Sequence, residues 1–186
     1  MDLLRARGPM RRMRALAMLL GLAMAAAHAS VRDYQVEAVF LFNFTQFVEW
    51  PTAAFDGDAA PIVIGVLGDD PFDGYLDDTV RGEKVAARTL VVRRYLRAED
   101  IGACHVLFIS RSEAARVEDI LARVKAQSVL TVSDAEGFIE RGGMIRFVVE
   151  NGHVKLRINA GAVRAAGLEP SSKLLRVAEI TTADKG

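Results

Sequence analysis

From Tyr34 to Pro51 the chain reads YQVEAVFLFNFTQFVEWP, with no turn residue before the proline and apolar positions that recur at helical spacing. At about 100° per residue, Val36, Phe40, Leu41, Phe44, Phe47 and Val48 share one broad face, while Gln35, Asn43, Gln46 and Glu49 share the other. This predicts an amphipathic core helix that Pro51 stops, because the residue before a proline is steered out of helical geometry. Glu37 interrupts the apolar face. Buried alone it would cost several kcal/mol, so it is placed in the first turn, beyond the edge of the core, with pairing to an arginine as the alternative.

Downstream, the period changes. Pro61 leads into IVIGVLG, an apolar β-branched run without polar alternation, the pattern of a strand covered on both faces. Asp70-Pro71 opens a helix to about Val80, with Asp70 as cap. Thr89 to Arg94 is a second strand whose Arg93-Arg94 end places it near an edge, and Cys104 to Ile109 is a third, buried one. Ser110 and Glu113 have capping-box spacing ahead of a helix with Val117, Ile120, Leu121 and Val124 on one face. Val129 to Val132 is a short fourth strand, and Ser133 with Glu136 repeats the capping-box spacing, predicting a short helix through Ile139. Two further strands, Met144–Glu150 and Val154–Ile158, flank Asn151-Gly152, the strongest short hairpin signal. Asn159 caps a helix through Ala166 that Gly167 closes, and Ser171 to Ile180 forms a last helix or helix-strand piece. Strands alternating with helices predict an α/β three-layer sandwich: a mostly parallel sheet with helices on both faces and a C-terminal antiparallel hairpin.

The first residues change the charge. Five arginines between Arg5 and Arg14, the apolar stretch Ala15 to Ala27 and the small-residue pattern Ala27-His28-Ala29 make residues 1–29 a cleavable export signal and residues 30–186 one α/β domain. Removing that segment takes five arginines and one aspartate from a neutral balance of 24 basic and 24 acidic residues, leaving −4. A mildly acidic exported domain without clustered Lys and Arg excludes nucleic acid as an expected partner, and no membrane span is expected after cleavage. Cys104 is the single cysteine, so no internal disulfide is expected; its apolar neighbours favour burial over pairing with another chain.

No catalytic constellation is present: there is no G-x-S-x-G, no Walker loop, no G-x-G-x-x-G and no H-E-x-x-H. Cys104 and His105 are neighbours, but strand alternation sends them to opposite faces, so no metal site is expected, nor any cofactor. Asp69 and Asp70 follow a buried strand, where ligands bind in doubly wound sheets, and are candidate ligand contacts. The plainer alternative has Asp70 capping and Asp69 solvated. On the hairpin, Arg146, Glu150, Asn151 and Arg157 are candidates for a polar recognition surface, and Phe42 and Trp50, on the flank of the first helix, for an exposed aromatic contact.

Taken in order, YQVEAVFLFNFTQFVEWP, IVIGVLGDDPF, CHVLFISRSE, VLTVSDAEGFIERGGMIRFVVENGHVKLRIN and SSKLLRVAEI resemble the YfiR-like exported proteins of Gram-negative bacteria across essentially the whole chain after the signal. The resemblance implies a periplasmic regulator instead of an enzyme: one that binds and restrains an inner-membrane diguanylate cyclase, or a related membrane sensor kinase, and links envelope conditions to cyclic di-GMP and biofilm growth. It also implies a homodimer. The family's redox-sensing disulfides have no counterpart here, since Cys104 lacks a partner cysteine. The alternative reading is a periplasmic module that senses a small molecule without catalytic activity of its own.

Overall fold

The computed structural model describes residues 31–181; the export signal expected over residues 1–29 lies outside the described residues. A first helix, α1, covers residues 31–47 and is followed by β1 (Val48–Glu49). Then come β2 (Ile62–Leu67), α2 (Tyr75–Val80), β3 (Lys84–Val85), β4 (Arg88–Tyr95), β5 (Val106–Ile109), α3 (Val117–Val124), β6 (Leu130–Ser133), β7 (Ile145–Glu150), β8 (His153–Asn159), α4 (Ala160–Ala165), β9 (Glu169–Pro170), α5 (Ser172–Val177) and β10 (Ala178–Thr181).

Eight strands form one sheet in the order β10-β8-β7-β6-β5-β2-β4-β3. The run from β7 through β6, β5 and β2 to β4 is parallel, β7 and β8 make the antiparallel hairpin, and β10 lies parallel to β8 as an outer strand. The central strands are buried on both faces. Ile62, Ile64, Val66, Val106, Phe108, Leu130 and Val132 point into the core shared with α1, α2, α4 and α5, through Leu41, Phe44, Leu76, Val163 and Leu174. Leu67, Leu107 and Ile109 point the other way, against Val117, Ile120 and Val124 of α3. Helices on both faces of a mostly parallel sheet are the architecture that continuous apolar strands require, because each face must be covered.

Two tight spots show how closely the second layer sits. Gly65 occupies the middle of β2 because a Cβ there would lie 2.8 Å from the Tyr95 ring and 2.9 Å from Cys104 Sγ. At the β7–β8 turn, Asn151 and Gly152 have φ of 53° and 72°, the left-handed pair that a two-residue hairpin loop needs.

Four expectations are corrected. The helix α1 ends at residue 47, not at Pro51, because Val48–Glu49 pairs antiparallel with Glu169–Pro170 and the Phe47 carbonyl accepts from the Ser171 N–H. Its buried stripe is rotated by about one position: Val36 is 44% exposed, while Glu37 is only 2% exposed and lies inside, not beyond the edge. The helix after Asp70 begins only at Tyr75, because Asp70 Oδ1 accepts the Phe72 N–H and holds a turn first. The short helix from Ser133 is absent. Ser133 Oγ donates to the Ile109 carbonyl and accepts from the Ala135 N–H, so the segment is a series of turns.

Candidate functional site

Parallel strands end where ligands enter α/β sheets, because backbone groups and loops diverge there. At that end, β6 stops at Ser133 while its neighbour β7 runs on to Glu150; only Val132–Ile145 and Ser133–Arg146 are paired. The early stop leaves a notch beyond β6, a cleft of about 490 Å³ with Phe147, Val148 and Val149 along one wall. Arg111 enters it from the turn after β5, Asp134 from the first residue after β6, Arg146 from β7, and Glu37 from α1.

These side chains form a charged cluster. Asp134 Oδ2 accepts from Tyr34 Oη at 2.9 Å and from Arg111 Nε at 2.6 Å. The Asp134 side chain is 4% exposed and that of Arg111 67%, so the pair reaches from interior to solvent. Burial, with Asp134 nearby, also raises the Tyr34 hydroxyl far above its ordinary value, which keeps it a donor. Glu37 has lost its hydration without gaining a cation in contact. Desolvation first, then the Asp134 charge, pushes its carboxyl up to about 9, against a smaller lowering by Arg111, so it is neutral at pH 7. Three buried polar atoms in this cleft have no partner among the described residues: Glu37 Oε2, Asp134 Oδ1 and Arg146 Nε.

The candidates near β2 behave differently. Asp70 Oδ1 accepts the Phe72 N–H at 2.8 Å and Oδ2 accepts from Arg94 Nε at 2.7 Å, so its carboxylate is fully engaged. Arg94 also holds Asp77 and the Asp73 carbonyl. Asp69 is exposed, and its backbone N–H donates to Ser112 Oγ across the crevice between β2 and β5. Among the described residues no group of three or more His, Cys, Asp or Glu side chains is placed to hold a metal ion.

The hairpin candidates divide. Glu150 accepts from Lys155 Nζ at 2.7 Å and Arg157 Nη2 at 3.2 Å, and Arg157 reaches Glu179 on β10 at 3.3 Å, forming a ladder across three strands. Asn151 shapes the turn. Arg146 lies directly opposite Arg157 in register but outside this ladder, and contributes its Nε to the cleft. Phe42 and Trp50 are half-buried against the α1 core. Trp50 meets His105 edge-on at 6.2 Å; the His105 ring stacks on Phe55 at 4.5 Å and accepts the Val63 N–H at Nδ1. Burial lowers the His105 pKa and pushes the Cys104 thiol up to about 12, leaving it an unreactive thiol on the α3 side.

Sequence reasoning missed the set Tyr34, Glu37, Arg111 and Asp134. The signal was present, for Arg111 and Asp134 stand one or two residues beyond buried strands, the same placement that singled out Asp69 and Asp70.

Fold and site together define an α/β domain with a parallel central sheet and a polar cleft at its strand ends, without a nucleophile paired to a base among the described residues. The chain belongs to the YfiR/HmsC-like family, whose profile matches residues 34–179. Membership points to a regulator of signalling in the periplasm. Among the described residues no helix is long and apolar enough to cross a membrane. No curated protein matches the chain. A crystal structure of a conserved domain protein from Vibrio cholerae O1 biovar El Tor str. N16961 is similar at a TM-score of 0.49 and 15% identity, covering 64% of this chain and 54% of the Vibrio chain. This chain thus spans about half the length of that protein.

Proposed function

We propose that this protein, exported by residues 1–29, restrains an inner-membrane diguanylate cyclase or a related membrane sensor kinase by binding its periplasmic portion, and so couples envelope conditions to cyclic di-GMP. Family membership over residues 34–179 carries the reading. It acts by binding and not by catalysis. To hold its partner inactive it must prefer the inactive conformation, by about 1.4 kcal/mol for each tenfold change in activity ratio.

The contact residues are Glu150, Asn151 and Arg157 on the hairpin and the half-buried aromatics Phe42 and Trp50, with Val36 and Val39 exposed on the same helix as Phe42. The same surface serves homodimerisation. Deleting the gene is expected to raise cyclic di-GMP several-fold, and the full-length gene to restore it; unchanged cyclic di-GMP in the deletion strain overturns the reading. Trp50, the single tryptophan, reports the contact directly, and its emission is expected to shift when the partner's periplasmic portion is added.

A further inference from the structure

At the end of the sheet opposite the notch, where β2 and β5 begin, residues 51–60 bring Phe55 onto the ring of His105. His105 is only 2% exposed, and its Nδ1 accepts the Val63 N–H at 3.0 Å, so the ring is neutral with its proton on Nε2. Phe55 stacks on it at 4.5 Å, and Trp50 meets it edge-on at 6.2 Å. His105 Nε2 and Trp50 Nε1 are both buried without a hydrogen-bond partner among the described residues.

Little else ties this segment down. Its backbone hydrogen bonds run inside it, from the N–H groups of Ala54, Phe55 and Ala60 to the carbonyls of Pro51, Thr52 and Gly57. Among the described residues, the side chain that binds it from outside is Arg88, which donates to the Gly57 and Ala60 carbonyls at 2.8 Å and lays its guanidinium 3.9 Å over the Phe55 ring. Residues 52–53 and 56–59 are exposed. A segment with few nonlocal bonds opens at lower cost than the sheet beside it.

A charged His105 does not suit this closed arrangement. A proton on Nδ1 sets one donor against another at the Val63 N–H, so the ring must turn, and it can turn only if Phe55 moves off its face. Among the groups acting on the ring, Arg88 also opposes the charge, whereas the Ala54 carbonyl and Asp56 favour it; burial is the largest influence, and the His105 pKa lies below its ordinary value of 6.5. Cys104, its chain neighbour, packs on the other side of the sheet. The closed state thus resists a proton that an opened segment takes up. Closure is fully favoured above about pH 6.5 and weakens as pH falls, by up to about tenfold in the opening equilibrium per unit.

We propose that residues 51–60 form an acid-released strap: when His105 takes up a proton, Phe55 leaves the ring and the segment opens, uncovering Trp50 while the sheet stays folded. That an open strap alters partner binding through Trp50 rests on the regulator reading. The opening itself does not, and it is measured on the isolated protein.

Trp50 emission and its quenching by acrylamide would be followed from pH 8 to pH 5 beside far-ultraviolet circular dichroism. The emission is expected to move to longer wavelength and quenching to rise about twofold, with a midpoint below pH 6.5 and unchanged circular dichroism. In His105→Asn the side-chain carbonyl can accept the Val63 N–H in place of Nδ1 but cannot become charged, and the transition is expected to vanish. The other described histidine, His153, is exposed at the hairpin turn and remains in that variant as a control. In amide NMR spectra of the wild-type protein, Val63 and residues 51–60 are expected to shift along one titration curve, which keeps the test decisive if the variant misfolds. A Trp50 signal indifferent to pH, a transition that persists in His105→Asn, amide shifts confined to other residues, or loss of circular dichroism at the same midpoint would each overturn the proposal.

Discussion

Two acidic clusters sit at strand ends of the same sheet and are opposites. Around β2 and β4, Asp70 and Asp77 close on Arg94, and both Asp70 oxygens have partners. Beyond β5 and β6, only Asp134 is bonded to an arginine, Arg111 at the solvent edge, and Glu37 and Asp134 leave an oxygen each unmatched. Hydrogen bonding to Arg94 holds the Asp77 carboxyl below its usual value, while desolvation drives Glu37 upward. A saturated cluster behaves as scaffold, since it needs nothing from outside. An unsaturated one around an open notch keeps its binding capacity.

The largest test of this contrast is the pH dependence of stability. Glu37 sits among Tyr34, Asp33, Arg111 and Asp134, with Arg146 lining the same cleft, and its folded pKa of about 9 stands above the ordinary value of 4.5 that applies in the unfolded chain. The folded state therefore holds a proton that the unfolded state releases. The contribution is fully present below about pH 4.5 and is lost as pH rises towards 9, at up to ~1.4 kcal/mol per unit. Urea unfolding of Glu37→Gln against the wild type is expected to show little difference at pH 5 and a variant more stable by roughly 3 kcal/mol at pH 8. A constant difference across that range would place the Glu37 carboxyl in water.

A smaller effect is expected from Asp134→Asn, which keeps the shape but removes the charge that Tyr34 and Arg111 bond to. It should cost about 1 to 2 kcal/mol in chemical denaturation. It should also shift the pH profile of Glu37 downward, because the Asp134 charge is one of the causes raising it. Unaltered pH dependence in this variant would show that the two carboxyl groups do not sense one another.

The smallest effect belongs to the saturated cluster. Arg94→Ala breaks pairs that are 40% exposed at Arg94, so solvent screening limits the loss to about 1 kcal/mol, with the gap to wild type narrowing in high salt. A loss of several kcal/mol would instead mean that the β2 end carries uncompensated buried charge and that the contrast between the clusters fails.

Much of the fold was legible in the chain. IVIGVL and VLFI are apolar throughout because both faces of β2 and β5 are covered, and Asn151-Gly152 supplies the positive φ angles of its turn. A capping residue was legible at Asn159, whose side chain accepts the Ala162 N–H group; Ser171, whose side chain accepts the Leu174 N–H, was read only as the start of the last piece. The same logic failed at Ser133, because its hydroxyl found the Ile109 carbonyl across the sheet and a nonlocal partner outweighed the local cap. It failed at Glu37 as well, where periodicity alone could not tell a rim position from a position facing the notch.

What the sequence determined by itself are the features with local causes: where strands and helices lie, which faces are apolar, the tight β7–β8 turn, and the parallel sheet that such a succession demands. The site was decided only by the tertiary structure. Glu37, Arg111, Asp134 and Arg146 come from four separate segments. They meet because β6 stops short beside a longer β7 while α1 lays its Glu37 stripe over the gap. Strand order, relative strand length and helix rotation are set by the packing of the whole core, and no stretch of the chain carries that information alone.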